Sequence, residues 1–467
     1  MRFCDHSIED ESSKYINRLV ESQKWPREMP WNLVGLAKSA SFKYGLDSQI
    51  VFLKQLSSLS AHLGSGVTLG GYGEFGVPLN LSIAIGMDRR RSLNNLFRTL
   101  DQKLYEAEAE AINDYNMRRG KPVPTGQDAA KAKAIVQNAA CKDDRNEALK
   151  VLGNLHRTNA PQLFFEDGKP ASMFKVLEGS QDRGLYALSD KGGPIPHYLG
   201  TYSGREKAEF IELVYRSQEV VSTKSPGTSD KHWDFLDTPH MNIFWILQKE
   251  HFMPALRDGM MQDSGFWNPF ILLDIGGAST TEGIRAGFKL QFIDAWRQLT
   301  GKVFGLRSCY EPTHVIECGK ECDTVFENFR KEVGGLVQKL PPSLRKVPAT
   351  WVTLSQKLAG LLQIASLQGF NRLKPENALK GVILARWAGV RTLQVLHNAD
   401  SAALTAGTIQ AEEIMLGKLR EKAPITSREL FRSYRKQGKS LHIPVLDKLK
   451  AKGLVTEGPE GLLRPAS

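Results

Sequence analysis

Cysteine is scarce, with five in 467 residues. So few, and an odd number, exclude a disulfide-stapled scaffold and fit a reducing, cytoplasmic setting. No window approaches 18 consecutive apolar residues, so no transmembrane helix is expected and no membrane partner. The opening Met1-Arg2-Phe3-Cys4-Asp5 lacks the apolar stretch of a secretory signal. Low-complexity tracts and internal repeats are absent. There is no nucleophile elbow, which leaves no case for a hydrolase. The nearest approach to a metal set is Cys309, His314, Cys318 and Cys322. It has no C-x-x-C pair, and gaps of four, three and three residues suit a tetrahedral zinc site poorly. No metal site is assigned.

What is present points to a folded chain. The length suggests roughly three domains, or one large domain with appendages. An apolar share of 41% beside 24% charged residues can bury a sizeable core. The charge balance is 62 − 51 = +11, which favours a polyanionic partner through phosphate neutralisation and counterion release.

Residues 1–63 read as an N-terminal helical region. Leu46, Ile50, Val51, Leu53, Leu56 and Leu59 carry helical spacing within two helices over 31–63. Residues 64–300 alternate strands with helices, which predicts an α/β core with a mainly parallel sheet. The strands are expected at Leu79–Ile85, Gln162–Phe165, Leu185–Asp190, Met241–Leu247 and Phe270–Asp274. A long helix with Leu93, Leu96, Phe97, Leu100 and Leu104 on one face follows the first, and another is expected over about 129–155. Residues 301–423 read as a helical extension.

The first strand, its turn and its helix stand where a phosphate-binding loop would. Such a loop needs glycine at the tight turn, a lysine for the phosphates and a Ser/Thr for Mg²⁺. The turn here is Gly86-Met87-Asp88-Arg89-Arg90-Arg91-Ser92. Ser92 is in place for the metal and Arg91 stands in the lysine position. Asp88 takes a glycine's place and sets a carboxylate near the phosphates, which is electrostatically wrong for nucleotide.

Together these residues resemble a family of primase-associated P-loop ATPase-like domains of bacterial plasmids, prophages and islands. Pro78-Leu79-Asn80-Leu81 and Arg90-Arg91-Ser92 fit its first motif. Leu188-Ser189-Asp190-Lys191-Gly192-Gly193 is similar to its acidic strand end, and Asn242 through Gln248 to its later strand ending in a polar residue. The resemblance implies a RecA/AAA-like P-loop NTPase-type core. It implies that any ATP and Mg²⁺ would sit at Gly86, Arg91, Ser92, Asp190 and Gln248. Three departures point to a pseudo-ATPase with no cofactor. The phosphate loop is altered, Lys191 stands where a water-polarising acid belongs, and Gly265–Phe270 lacks the family's arginine.

The segment 424–467 reads as a winged helix-turn-helix. Thr426-x-x-Glu429 is a capping box, Ser440–Lys452 a second helix stopped by Gly453, and Leu454–Thr456 and Leu462–Arg464 two short strands. The segment holds nine Lys/Arg and four Asp/Glu, a net of +5. Lys448, Lys450 and Lys452 would face DNA from this module, and Arg89, Arg90 and Arg91 from the core. The expected function is DNA binding in replication or maintenance of a mobile element, without ATP turnover. DNA is the expected partner, with replication proteins and self-association as further candidates. The alternatives are an active DNA-dependent ATPase or helicase, and a protein-binding regulator that does not touch nucleic acid.

Overall fold

The computed structural model describes residues 5–26, 28–70, 76–88, 93–118, 131, 161–180, 184–219, 223–224, 235–236, 239–275, 289–307, 314–432, 442–458 and 461–465. The chain divides into two compact units, Met1–Val395 and Leu396–Ser467. Among the described residues no helix is long and apolar enough to cross a membrane.

The first unit is mixed α/β. Its main sheet has five parallel strands: β1 (Ser82–Met87), β2 (Phe164–Phe165), β3 (Gly184–Ser189), β4 (His240–Gln248) and β5 (Phe270–Ile275), in the order β5-β1-β4-β3-β2. This sheet is compatible with a Rossmann- or P-loop-like core. β1, β3 and β4 are buried along almost their whole length. That explains their near-continuous apolar runs, since a parallel sheet is covered on both faces. The register pairs Met87 with Gln248 and Gly86 with Asp274. A second, smaller sheet joins Val67–Leu69 to His314–Ile316 in parallel and to Val77–Pro78 antiparallel.

The two helices expected over 31–63 are Trp31–Tyr44 and Ser48–Leu63. Gly45 ends the first in the left-handed conformation (φ 63°) that favours glycine. The Asp47 side chain caps the second by accepting the Gln49 N–H at 2.8 Å. Ser48–Leu63 is buried on nearly every side, polar residues included. It is therefore part of the core rather than of a separate N-terminal region.

The helix expected to run unbroken through Leu93 and Leu104 divides at Asp101 into Asn94–Leu100 and Gln102–Arg118. A buried ion pair lies at the break. Asp101 and Lys54 are both fully buried, with Lys54 Nζ 2.6 Å from Asp101 Oδ2. The Lys54 ammonium lies 5.2, 5.0 and 5.7 Å from the ring centres of Phe97, Tyr186 and Phe244. At the break Asp101 takes φ −106°, and its carbonyl accepts the Leu104 N–H at 2.9 Å to start the second helix. The helix expected over 129–155 lies outside the described residues.

Helices Lys320–Val337 and Trp351–Ala365 belong to the same unit as the sheet. Lys357 donates to Asn80 Oδ1 at 2.7 Å, just before β1, and Thr392 Oγ1 accepts the Leu272 N–H of β5 at 3.0 Å. A boundary at residue 300 does not separate these elements from the core.

The second unit begins inside the long helix Pro375–Lys422 rather than at residue 424. Met415 and Leu419 of that helix pack with Leu430, Val445, Leu449, Val455 and Leu463 in one apolar cluster. The capping box forms as expected. Thr426 Oγ1 accepts the Glu429 N–H at 3.3 Å, and Glu429 Oε2 accepts the Thr426 N–H at 3.0 Å. Helices Ser427–Arg432 and His442–Ala451 follow. Gly453 then takes positive φ, donating to Lys450 O at 2.9 Å. The strands Val455–Glu457 and Leu462–Pro465 are joined by a third, Ile425–Thr426, in the antiparallel order Ile425–Thr426, Leu462–Pro465, Val455–Glu457.

Candidate functional site at the carboxyl edge of the sheet

In open parallel sheets, ligands bind outside the carboxyl ends of the strands. Here those ends bring together Asp88 after β1, Asp190 after β3, Gln248 and Lys249 at the end of β4, and Asp274 in β5. β4 lies between β1 and β3, so Asp88 and Asp190 stand on either side of it.

The centre of this edge is an ion bridge. Lys249 Nζ lies 2.8 Å from Asp88 Oδ1 and 3.3 Å from Asp274 Oδ1. The hydrogen bond to Asp88 holds the Lys249 ammonium above its ordinary range. Lys249 follows a buried strand directly, where its charge reaches solvent at the sheet rim. Asp274 closes the apolar run Phe270–Leu273 in the same way. That abrupt change from apolar to charged is the signal by which both residues could have been found from sequence. The bridge also changes the reading of Asp88: its carboxylate is matched by an internal cation.

Asp190 faces the start of helix Asn94–Leu100. Its Oδ2 accepts the Leu93 N–H at 3.1 Å, at an N-cap with no side-chain cap of its own. A carboxylate is favourable there, against the positive end of the helix dipole. Lys191 is turned to β2, with its Nζ 3.3 Å from Glu166 Oε1. The next two residues, Gly192 and Gly193, both have positive φ. Gln248 is the N-cap of helix Lys249–Arg257 and makes no capping bond with its side chain. Arg89, Arg90, Arg91 and Ser92 lie outside the described residues.

Gly86 is not at the turn. It pairs within β1 between Leu247 and Asp274, and its φ is not positive. Its lack of a side chain serves packing, because an added Cβ would lie 2.2 Å from Phe252 Cδ1. Phe252 is fully buried on the helix that starts at Lys249. Gly86→Ala is therefore expected to destabilise the fold by about 1–3 kcal/mol through overpacking. Urea unfolding checks this, and an unchanged midpoint would contradict the contact.

In the second unit, Lys450 pairs with Glu457 on the neighbouring strand, and Lys452 Nζ lies 2.8 Å from Glu412 Oε2 on the long helix. Both lysines offered to DNA thus have internal acidic partners, which sequence spacing did not reveal. The Lys448 side chain lies outside the described residues.

Of the cysteine–histidine set, Cys309 is outside the described residues. His314 Nε2 lies 2.7 Å from Phe370 O, and the Cys322 thiol donates to Leu373 O at 3.4 Å. Among the described residues, no cluster of His, Cys, Asp and Glu could hold a metal ion. Neither a protein-family model nor a curated protein sequence matches the chain.

Proposed function

We propose that the protein is a DNA-binding pseudo-ATPase: a degenerate P-loop NTPase-type core, related to the primase-associated ATPase-like domains, with a winged helix-turn-helix at its end. It would act in replication or maintenance of a mobile element. The observation that carries this reading is the Asp88–Lys249–Asp274 bridge. A triphosphate brought to the end of β1 meets a carboxylate there, and Lys249 beside it is already held by two acids. Positioned cations and a free metal site are what phosphoryl transfer requires.

DNA binding is supported by the net charge of +11 and by the order of the second unit. Its helix, short strand, two helices and three-stranded antiparallel sheet are compatible with a winged helix. Helix-turn-helix modules place their second helix in the major groove, and here that helix is His442–Ala451. Because Lys450 and Lys452 are internally paired, phosphate contact by them requires exchanging one acidic partner for another.

A filter-binding series over DNA type and salt tests the proposal. Affinity is expected to fall steeply with salt, with a slope of about −0.9 per phosphate contacted. Salt-independent binding, or none, would remove it.

One observation favours an active ATPase instead. The Asp190–Leu93 contact puts an acid beside the residue that follows Ser92, where a metal-holding carboxylate is wanted. Under that reading Mg·ATP would raise the melting temperature, and steady phosphate release would vanish in Ser92→Ala.

A further inference from the structure

A pocket of about 820 Å³ opens where the strand His314–Ile316 passes into the helix Lys320–Val337. Its lining carries three cations, Lys320, Arg372 and Lys374, against one carboxylate, Glu321. Among the described residues none of the three cations has an ion pair or a side-chain hydrogen bond. This contrasts with Lys249, Lys450 and Lys452, each of which is matched by an acid.

The loop bearing two of these cations is exposed yet held rigidly. Buried Gln363 donates from Nε2 to Gly369 O at 2.9 Å, and its Oε1 accepts the Lys374 N–H at 3.0 Å and an Asn377 Nδ2–H at 2.8 Å. On the other side the Glu317 N–H donates to Asn371 O at 2.8 Å, and the Leu373 N–H to Glu317 O at 2.9 Å. These two bonds fix Arg372 across Gly319, where an added Cβ would lie 3.0 Å from Arg372 Nη2. Leu367, just before the loop, is held at φ 56°, the one non-glycine residue with positive φ among those described. Such a conformation persists only where the surroundings over-determine it. Three cations that line one cavity, two of them on a loop ordered from beneath, suit an anion.

We propose that this pocket binds a phosphate group, presented either by the DNA backbone or by a free polyphosphate. Only the first source rests on the DNA-binding reading above. Bidentate donation by Arg372 suits a phosphate's paired oxygens, while the two lysines supply compact charge at the rim.

The test uses the full chain and the double charge reversal K320E/K374E, which alters two exposed side chains outside the core and should leave the melting temperature unchanged. The matched variant K24E/K38E changes the same charge outside the pocket. A mixed-sequence DNA duplex is titrated over a salt series, and inorganic pyrophosphate is titrated by calorimetry. K320E/K374E is expected to lower duplex affinity about tenfold or more and to make the salt slope shallower by about 2, with K24E/K38E close to wild type. Loss of duplex binding without pyrophosphate binding in the wild type assigns the pocket to backbone phosphate. Pyrophosphate binding that disappears in K320E/K374E, with no duplex bound by the wild type, assigns it to a free polyphosphate and removes the DNA reading. Duplex and pyrophosphate titrations unchanged in K320E/K374E would overturn the pocket while leaving DNA binding in place. An equal loss in K24E/K38E would also overturn it. A wild type that binds neither probe overturns both.

Discussion

Replacing Lys54 with methionine is expected to cost about 3–5 kcal/mol of folding stability, because it strands a buried carboxylate. Lys54 and Asp101 are both fully buried, 2.6 Å apart, with Ser58 Oγ also donating to Asp101. Burial alone pushes the Lys54 ammonium down and the Asp101 carboxyl up, and their contact opposes both shifts. The pair is thus stable only as a pair. Removing one partner leaves the other without its counter-charge in a box walled by Phe97, Tyr186 and Phe244. Urea unfolding reads the loss. The double variant Lys54→Met/Asp101→Asn should recover most of it, since no uncompensated charge then remains and Ser58 keeps an acceptor. A single-variant cost below about 1 kcal/mol, typical of an exposed pair, would contradict the assignment. The pair joins the central helix to the end of the helix that leaves β1, so the same variant should loosen the carboxyl edge. Hydrogen exchange over 94–100 would report it.

Acidification from pH 7 to pH 5 is expected to remove about 4 kcal/mol, from two histidines together, with a slope that approaches about 1.4 kcal/mol per pH unit for each below 6.5. His62 and His240 are fully buried, and burial is the main cause that holds each imidazole down to about 3. Neighbouring Lys54 and Arg307 add to the effect at His62, and Arg307 and Lys357 at His240. His62 Nδ1 has Ser58 O at 2.7 Å, but its Nε2 and both nitrogens of His240 find no partner among the described residues. In the unfolded chain both rings titrate near 6.5. Between 6.5 and about 3 the unfolded state therefore binds protons that the folded state refuses, and stability falls as pH falls. Unfolding midpoints at pH 7 and pH 5 measure this. The ring signals of both residues should also stay constant over that range in the folded protein. A flat stability profile, or ring signals that titrate near 6.5, would contradict the burial of these two groups.

The strands of the main sheet were legible because each buried parallel strand is a nearly unbroken apolar run. Met241–Leu247 and Phe270–Leu273 are the clearest cases. The capping box at Thr426 and the stop at Gly453 were legible because each is a local device that needs no distant partner. The break at Asp101 was not, since Leu93, Leu96, Leu100 and Leu104 continue one helical stripe through it. The partner that Asp101 meets there, Lys54, lies 47 residues away. The bridge at the sheet edge was missed for the same reason. Asp88, Lys249 and Asp274 meet only through the strand order, which places β1 between β4 and β5. The strand Ile425–Thr426 is two residues long, too short to leave a pattern. The start of the second unit at Leu396 lies within a continuous helix, where no composition change marks it.

Whether the carboxyl edge of the sheet holds a triphosphate is measured by calorimetric titration of the full chain with a non-hydrolysable ATP analogue and Mg²⁺. With Lys249 engaged by Asp88 and Asp274, no binding heat and no change in melting temperature are expected. Saturable binding that depends on Mg²⁺ and is lost in Asp190→Ala would contradict that expectation.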